Sequence, residues 1–581
     1  MSTGHWFAIA VWLPAWIALL FAAPAAHSML NRLMPWAALP VLIFSAVTVA
    51  SANEFTSTAW VSEWPWLLLG VQLGLDRLTS VFLLFTALLW FAAGHFAHAY
   101  LEHDKRRAQF NGFFLLAMAG NFSLIAALDV ASFYFSFALM TFAAYVLVVH
   151  DATNEARRAG RVYIVLAVIG EALLLAGLLL GSSAPGNVDI ATFRVSVATA
   201  PERELIVALL FAGFGVKAGV PLLHMWLPLA HPVAPTPASA VLSGAMIKAG
   251  LLGWLQFLPV SIIAMPAWST ALVLIGIAAA FYGVIVGLMQ DAPKTILAYS
   301  SISQMGFMTV AVGVALSSSS LAPLAVMVSA SYAIHHGLSK GALFLSVGLA
   351  TGGRMPKWLL WSGIAASALS LSGAPLLSGA LAKSELKALL FQAESSGTII
   401  VALSLAATGT TLLMIRFAFA LRAKLNEKPQ RQLAPAASVA WLGLVLASLV
   451  LPWTVLLNAS ATSVLTLSKL WAAAWPVMLG CVVASLAIRT GGTMRTWRMP
   501  AGDVLQPIAY ALSQATRALS AGSRLTGRAS RAWLNSLRHR LHMLQGFMAR
   551  LSRAGERHLL SNASASALIA ITLLLLLSSI R

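Results

Sequence analysis

The sequence has a single cysteine, Cys481, and few charges: Asp, Glu, Lys and Arg make up 9% of its 581 residues, against about 25% in soluble proteins. The lone thiol excludes a disulfide framework, a thiolate zinc site and a Cys-ligated iron–sulfur cluster, so any redox centre belongs to another subunit. The scarcity of charge excludes a soluble globular protein. Acidic residues are the scarcest, 18 Asp and Glu against 37 Lys and Arg, which leaves a net charge of +19. Such an excess serves either a nucleic-acid surface or membrane topology, and the positions of the basic residues decide which.

What the sequence has is apolar length, with 59% hydrophobic residues in runs from Trp6 to Ile580. A bilayer-spanning helix needs about 20 mostly apolar residues. By that length, and by polar or Pro/Gly-rich borders, about sixteen spans are expected. They lie near 6–24, 33–50, 75–99, 110–127, 130–149, 162–182, 204–222, 237–259, 267–289, 295–316, 322–350, 357–391, 398–421, 436–457, 468–488 and 563–580. Two look broken: 204–235 contains Pro221, Pro228, Pro232 and Pro235, and 357–391 carries Ser372-Gly-Ala-Pro375 in its middle. Broken helices persist in a membrane only where protein or water satisfies the freed backbone groups. Phe21-Ala-Ala-Pro-Ala-Ala26 resembles a signal-peptide cleavage site, but Met1 to His5 carries no Lys or Arg, so the first span is read as a mature helix. The fold expected is therefore an all-α polytopic membrane protein.

Basic residues alternate with the connections, as the positive-inside rule requires of cytoplasmic loops. Arg32, Lys105 to Arg107, Arg157, Arg158, Arg161, Lys294, Arg354, Lys357, Arg422, Lys424, Lys428 and Arg431 fall on one side. Glu54, Glu63, Asp129, Asp189, Glu202 and Glu394 fall on the other. This pattern excludes a nucleic-acid partner, places the chain in the bacterial inner (cytoplasmic) membrane and puts both termini on the non-cytoplasmic side. Met499–Asn562 carries nine arginines, and Leu534, Leu537, Leu541, Leu544, Met548 and Leu551 form an apolar stripe at helical spacing. A helix with one apolar and one Arg-rich face lies along membrane lipid or along partner subunits.

An ionisable side chain inside a membrane is costly and marks a functional candidate. The candidates are Glu171, Lys217, Lys248, His335, His336, Lys340, Lys383, Glu385 and Lys387. Burial penalises the charged form of an amine, so a small change in a neighbouring charge can flip a buried lysine, which is what a proton relay needs. The bland alternative is a lysine that snorkels to an interface or pairs statically. Glu171 is the nearest counter-charge in sequence to Lys217. His335 and His336 precede Lys340 by about one turn, and a histidine can pass a proton through either ring nitrogen. A haem would need axial histidines on facing helices, and no paired His-bearing helix stands out, so no cofactor or metal is expected. His224 and His231 flank the Pro-rich break, either as relay members or as its caps. Ser300, Ser301, Ser303 and Gln304 either hold ordered water or make interhelical hydrogen bonds.

Gly213-Phe-Gly-Val-Lys-Ala-Gly-Val-Pro-Leu-Leu-His-Met-Trp-Leu-Pro-Leu-Ala-His-Pro-Val-Ala-Pro-Thr-Pro-Ala-Ser-Ala-Val-Leu-Ser-Gly-Ala-Met-Ile-Lys248 resembles the signature of the antiporter-like, proton-conducting subunits of complex I, Mrp antiporters and membrane-bound hydrogenases. It is most similar to the large membrane subunit of hydrogenase-4 and formate hydrogenlyase. Ala298-Tyr-Ser-Ser-Ile-Ser-Gln-Met-Gly306, His335-His-Gly-Leu-Ser-Lys-Gly-Ala-Leu-Phe344 and Pro375-Leu-Leu-Ser-Gly-Ala-Leu-Ala-Lys383 add three matching segments in the same order. The resemblance implies two inverted five-helix repeats, 110–259 and 260–422, each with a lysine-bearing broken helix. Around them it implies N-terminal helices at 1–109, C-terminal helices at 423–498, a lateral amphipathic helix at 499–562 and a terminal helix at 563–581. It implies a proton pathway of Glu171, Lys217, His224, Lys248, His335, His336, Lys340 and Lys383, the last near an exit half-channel. The implied partners are other membrane subunits, peripheral redox subunits and membrane lipid. One position departs from the family pattern: where the fifth span usually holds a glutamate, this chain has Ala138, so either Glu171 replaces it or the first half-channel is weakened. Three functions follow: a proton-translocating subunit of a redox-driven complex, a cation/proton antiporter subunit, and a scaffold that has lost transport.

Overall fold

The computed structural model describes residues 2–51, 58–65, 67, 69–182, 188–425, 433–456, 466–489 and 499–502. The amphipathic segment beyond residue 502 and the terminal helix expected at 563–580 lie outside the described residues. In chain order the helices are α1 (Thr3–Leu20), α2 (His27–Leu33), α3 (Leu39–Ala50), α4 (Arg77–Tyr100), α5 (Arg107–Ala126), α6 (Val130–Val148) and α7 (Asn154–Gly181). There follow α8 (Ile190–Thr199), α9 (Arg203–Ala218), α10 (Trp226–Val233), α11 (Thr236–Val241), α12 (Lys248–Phe257), α13 (Pro266–Leu288), α14 (Pro293–Ser317) and α15 (Ala322–Gly352). The last are α16 (Lys357–Ser372), α17 (Ser378–Gln392), α18 (Gly397–Lys424), α19 (Pro435–Leu456) and α20 (Leu467–Arg489). Among the described residues, 12 helical stretches are long and apolar enough to cross a membrane, and the protein is multi-pass. Helix also occupies the expected spans at 204–222, 322–350 and 357–391, as α9, α15 and the pair α16 and α17.

The expectation of an all-α chain needs one correction. Between α3 and α4, β1 (Ala59–Trp64) pairs antiparallel with β2 (Val71–Leu75), with Ser62 opposite Leu73 and Trp64 opposite Val71. Val61, Trp64 and Val71 favour extended backbone, Trp60 at φ +58° marks an irregularity in the pairing between Ala59 and Ser62, and Pro65 with Gly70 at φ +97° turns the chain between the strands. The hairpin is tied to the helices by Asp129: its Oδ1 accepts from the Ser132 N–H at 2.7 Å, capping α6, and its Oδ2 accepts from the Gln72 N–H at 2.8 Å.

Burial sorts the helices by position. The apolar window in α11 to α12 is 100% buried and that of α14 is 94% buried, whereas that of α20 is 22% buried. The first two therefore form the middle of the bundle, and α20 its lipid-facing edge. Small residues draw the central helices together: a methyl on Gly276 of α13 would overlap the Gly306 carbonyl of α14, and one on Gly306 would overlap that of Gly276. Close glycine crossings gain dispersion contacts where water supplies no hydrophobic drive. The buried middle, lined by two or more helices on every side, is where costly polar groups can be satisfied.

Candidate proton-conducting site

The first helix break follows Lys217. Gly219 adopts φ +77°, a left-handed conformation that glycine takes without strain, and its N–H closes α9 on the Gly215 carbonyl at 2.9 Å. Pro221 interrupts the chain beyond it, and helix resumes at Trp226, whose Nε1 donates to the Val216 carbonyl at 2.7 Å. Lys217 is 5% exposed and sits among three aromatic rings, Phe137, Tyr163 and Trp226, at 5.7, 5.5 and 5.9 Å. Its Nζ donates to the Tyr163 hydroxyl at 3.2 Å, which donates in turn to the Thr141 carbonyl at 2.9 Å. Glu171 lines the same small cavity of about 20 Å³, room for about one water. Both its carboxylate oxygens are buried without a hydrogen-bond partner among the described residues. Glu171 and Lys217 thus share a cavity without forming an ion pair in this conformation.

The second break precedes Lys383. Gly373 at φ +90° ends α16, and an added Cβ there would lie 2.8 Å from the Lys383 Cδ, so the glycine serves both the turn and the lysine's access. Lys383 Nζ donates to the carbonyls of Leu371 at 2.9 Å and Ser372 at 2.7 Å. These are among the carbonyls that the broken helix leaves unpaired, and a cation at a helix C-terminus also meets the negative end of its dipole. The two breaks use their lysines differently. Lys217, on the incoming half-helix, meets side chains, and Lys383, on the outgoing half, meets backbone.

Between the breaks lies a row of buried polar groups. A π-helical turn at Leu242–Met246 interrupts the helix from α11 to α12 and turns the Ser243 carbonyl toward Lys248, whose Nζ donates to it at 2.6 Å. The Ser243 hydroxyl is 2.7 Å from that of Ser301, which donates to the Leu297 carbonyl at 3.0 Å. Lys340 Nζ donates to the same carbonyl at 2.8 Å, so two lysines on different helices are joined through two serines and one carbonyl. Gly244 and Gly337 face each other with no space for a Cβ, which holds the π turn against α15.

His336, on α15, is fully buried and neither ring nitrogen has a partner in the chain. His335 Nδ1 lies 2.9 Å from the Ser378 hydroxyl of α17 and so connects the row to the second break. His224 Nε2 lies 3.1 Å from the Tyr282 hydroxyl, just past the first break. All eight residues expected on the pathway are interior, including Lys248 and Lys383 at 1% and 8% exposure. The structure joins Lys248 to Lys340, and His335 to the second break. It makes no direct hydrogen bond between the Lys217 cavity and Lys248.

Residues 127–413 match the transmembrane region of the NADH:quinone oxidoreductase/Mrp antiporter family. The chain is 30% identical over 349 residues to NADH-quinone oxidoreductase subunit N of Desulforudis audaxviator, which covers 57% of this chain and 68% of that one. It belongs to this antiporter-like family. It is also 31% identical over 332 residues to hydrogenase-4 component B of Escherichia coli, covering 53% of this chain and 49% of that one. The chain spans about half the length of the curated relatives it matches first. Its fold is similar to a chain in the Mrp complex from Dietzia sp., with a TM-score of 0.68 and 20% identity over 84% of this chain and 100% of that one.

Several polar members of this family site are invisible to a reading based on charge. Tyr163 and Ser243 are the first partners of Lys217 and Lys248. The Tyr332 hydroxyl donates to Gln304 Oε1 at 2.9 Å, and Gln304 Nε2 donates to Thr410 at 3.0 Å, so part of the polar cluster in α14 makes interhelical hydrogen bonds. Outside the membrane interior, Asp104, His150 and Asp151 bring their possible ligand atoms within 4.8 Å of one another. His150 Nε2 is already engaged with Asp104 at 3.3 Å, and its carbonyl accepts from Arg106 at 2.7 Å.

Proposed function

We propose that this chain is a proton-translocating membrane subunit of a redox-driven complex related to complex I and the membrane-bound hydrogenases, seated in the bacterial cytoplasmic membrane with both termini outside the cytoplasm. Other membrane subunits and peripheral redox subunits are its partners, and it carries no redox cofactor itself. In this reading 110–259 and 260–422 are two inverted repeats flanked by helices at 1–109 and 423–498. The basic 499–562 segment braces neighbouring subunits ahead of a terminal helix at 563–581, which completes about sixteen spans.

The observation that carries the reading is the buried lysine row, in which Lys217 and Lys383 stand at helix breaks and Lys248 follows a π turn. Glu171 serves as counter-charge to Lys217 in place of the carboxylate that Ala138 lacks, since it is the acidic residue lining the Lys217 cavity. When charge arrives near Glu171 it draws toward or releases Lys217, and Lys217 gives up or takes a proton accordingly. Lys248, His336 and Lys340 pass protons laterally along the serine-linked row, His224 and His335 extend it, and Lys383 is the terminal donor.

The test is proton movement in vesicles containing the purified complex. Lys217→Ala is expected to abolish it while the complex still assembles. Normal pumping by that variant refutes the proposal, and a loss of assembly with unchanged flux per complex identifies a scaffold instead.

A further inference from the structure

Glu385 is a partly buried carboxylate that the relay above does not use. It lies on α17 two residues beyond Lys383, and its Oε2 accepts a hydrogen bond from the Ser331 hydroxyl of α15 at 2.5 Å. A carboxylate inside a helical bundle is expensive, and a single hydroxyl does not offset that cost. Glu385 therefore needs a reason to be there.

Its position supplies one. α15 and α17 meet through two polar rungs, His335 with Ser378 and Ser331 with Glu385. His335 and Ser331 are four residues apart and share one face of α15. From Ser378 to Glu385 α17 advances seven residues, and from His335 to Ser331 α15 steps back four, so the rungs climb an antiparallel pair in one direction. That direction leads away from the helix break. Glu385 stands eight residues before Ala393, about 12 Å of helix, and Ser331 nine residues after Ala322, about 14 Å. Both elements end at the same surface, the one carrying Glu394. A Cβ on Gly379 would lie 3.0 Å from His335 Cε1, and Gly379 is one turn before Lys383 on the same face of α17, so the lower rung adjoins the terminal lysine.

We infer that Glu385, approached through the Ser331 hydroxyl, is the carboxylate by which protons leave Lys383 for the non-cytoplasmic side. This inference rests on the proton-translocating reading. In the step, an N–H bond of the Lys383 ammonium breaks and its proton enters the His335 and Ser331 rungs. The Ser331 hydroxyl gives its own proton to Glu385 as it takes one from behind, so one N–H is lost, one carboxyl O–H is formed and the serine is restored. Release of the Glu385 proton to water resets the carboxylate.

The experiment measures proton flux in vesicles holding the complete purified complex. Glu385→Gln, which keeps shape and hydrogen bonding but cannot carry the proton as an acid, is expected to slow flux at least tenfold. Glu385→Asp, which keeps the carboxyl group, is expected to retain at least a third of it. Wild-type flux in Glu385→Gln overturns the inference, as does an equal loss in both variants, which marks a packing role. If Glu385→Gln does not assemble, Ser331→Ala decides: a several-fold slower flux supports the exit route and an unchanged flux overturns it. Lys217→Ala in the same assay separates the two levels. If Lys217→Ala is inactive and Glu385→Gln is normal, only the exit assignment fails, whereas a pumping Lys217→Ala removes the translocation reading and the exit with it.

Discussion

Replacing each break lysine by methionine separates its structural from its proton-carrying role, because the two are held so differently. Lys383→Met removes two hydrogen bonds, to the Leu371 and Ser372 carbonyls at 2.9 and 2.7 Å. At about 1.5–3 kcal/mol for each bond involving a charged group, the loss is about 3–6 kcal/mol, and the carbonyls left behind are those at the end of a broken helix. Lys217→Met removes one longer bond, 3.2 Å to Tyr163. The new thioether keeps the three-ring cage filled, with sulfur–aromatic contacts of about 0.3–1.5 kcal/mol offsetting the lost cation–π attraction. Its net cost is then about 1–2 kcal/mol. Reversible unfolding of the purified complex in mixed detergent reads the difference, with Lys383→Met expected to lose at least about 1 kcal/mol more stability than Lys217→Met, while both lose proton flux. Equal destabilisation by the two substitutions refutes the assignment of Lys383 as the cap of α16. Retained flux in Lys217→Met refutes its place on the pathway.

Ser243→Ala removes the hydroxyl that meets Ser301 but leaves the Ser243 carbonyl that Lys248 binds, so flux is expected to fall at least several-fold in a complex that assembles normally, and a wild-type rate would show that the row is not conductive. Gly306→Leu drives a side chain into the Gly276 backbone at the α13–α14 crossing, where neither helix can yield, and loss of the folded subunit from purified membranes is expected. Normal yield of that variant would mean that the crossing is looser than its geometry.

The helices were legible in the sequence because a membrane demands length and apolarity, and the breaks because Pro221 and the Gly373-Ala-Pro375 segment cannot continue a helix. The intramembrane charges identified their own candidates, since each costs too much to be incidental. What stayed hidden depends on tertiary contact or on subtle backbone. Nothing in Leu242-Ser-Gly-Ala-Met246 announces a π turn, because no side chain is required for one. Ser243 meets Ser301 across 58 residues, and Ser331 meets Glu385 across 54, pairings that no local pattern encodes. The hairpin at 59–75 falls mostly in the connection between the spans expected at 33–50 and 75–99, which a criterion of helix length and apolarity leaves undescribed. The basic segment at 503–562 lies outside the described residues.

The hydrogen-bond arithmetic of the lysines explains why backbone carbonyls suit them as partners. An ammonium has three N–H donors and a neutral amine has two, whereas a carbonyl only accepts. Lys383 uses two donors on Leu371 and Ser372, so it can release its third proton while the cap of α16 stays closed. Lys248 and Lys340 use one each and keep donors to spare in either state. A carboxylate partner would behave otherwise: as an ion pair it would favour the charged lysine strongly and release the proton only when the pair opened. That is the arrangement available to Lys217 and Glu171, which share a cavity but stand apart. In the proposed mechanism the chain combines one site whose proton answers to the distance between Lys217 and Glu171 with a row whose protons move while the backbone stays fixed, which puts the conformational work at the first break and not at each lysine in turn.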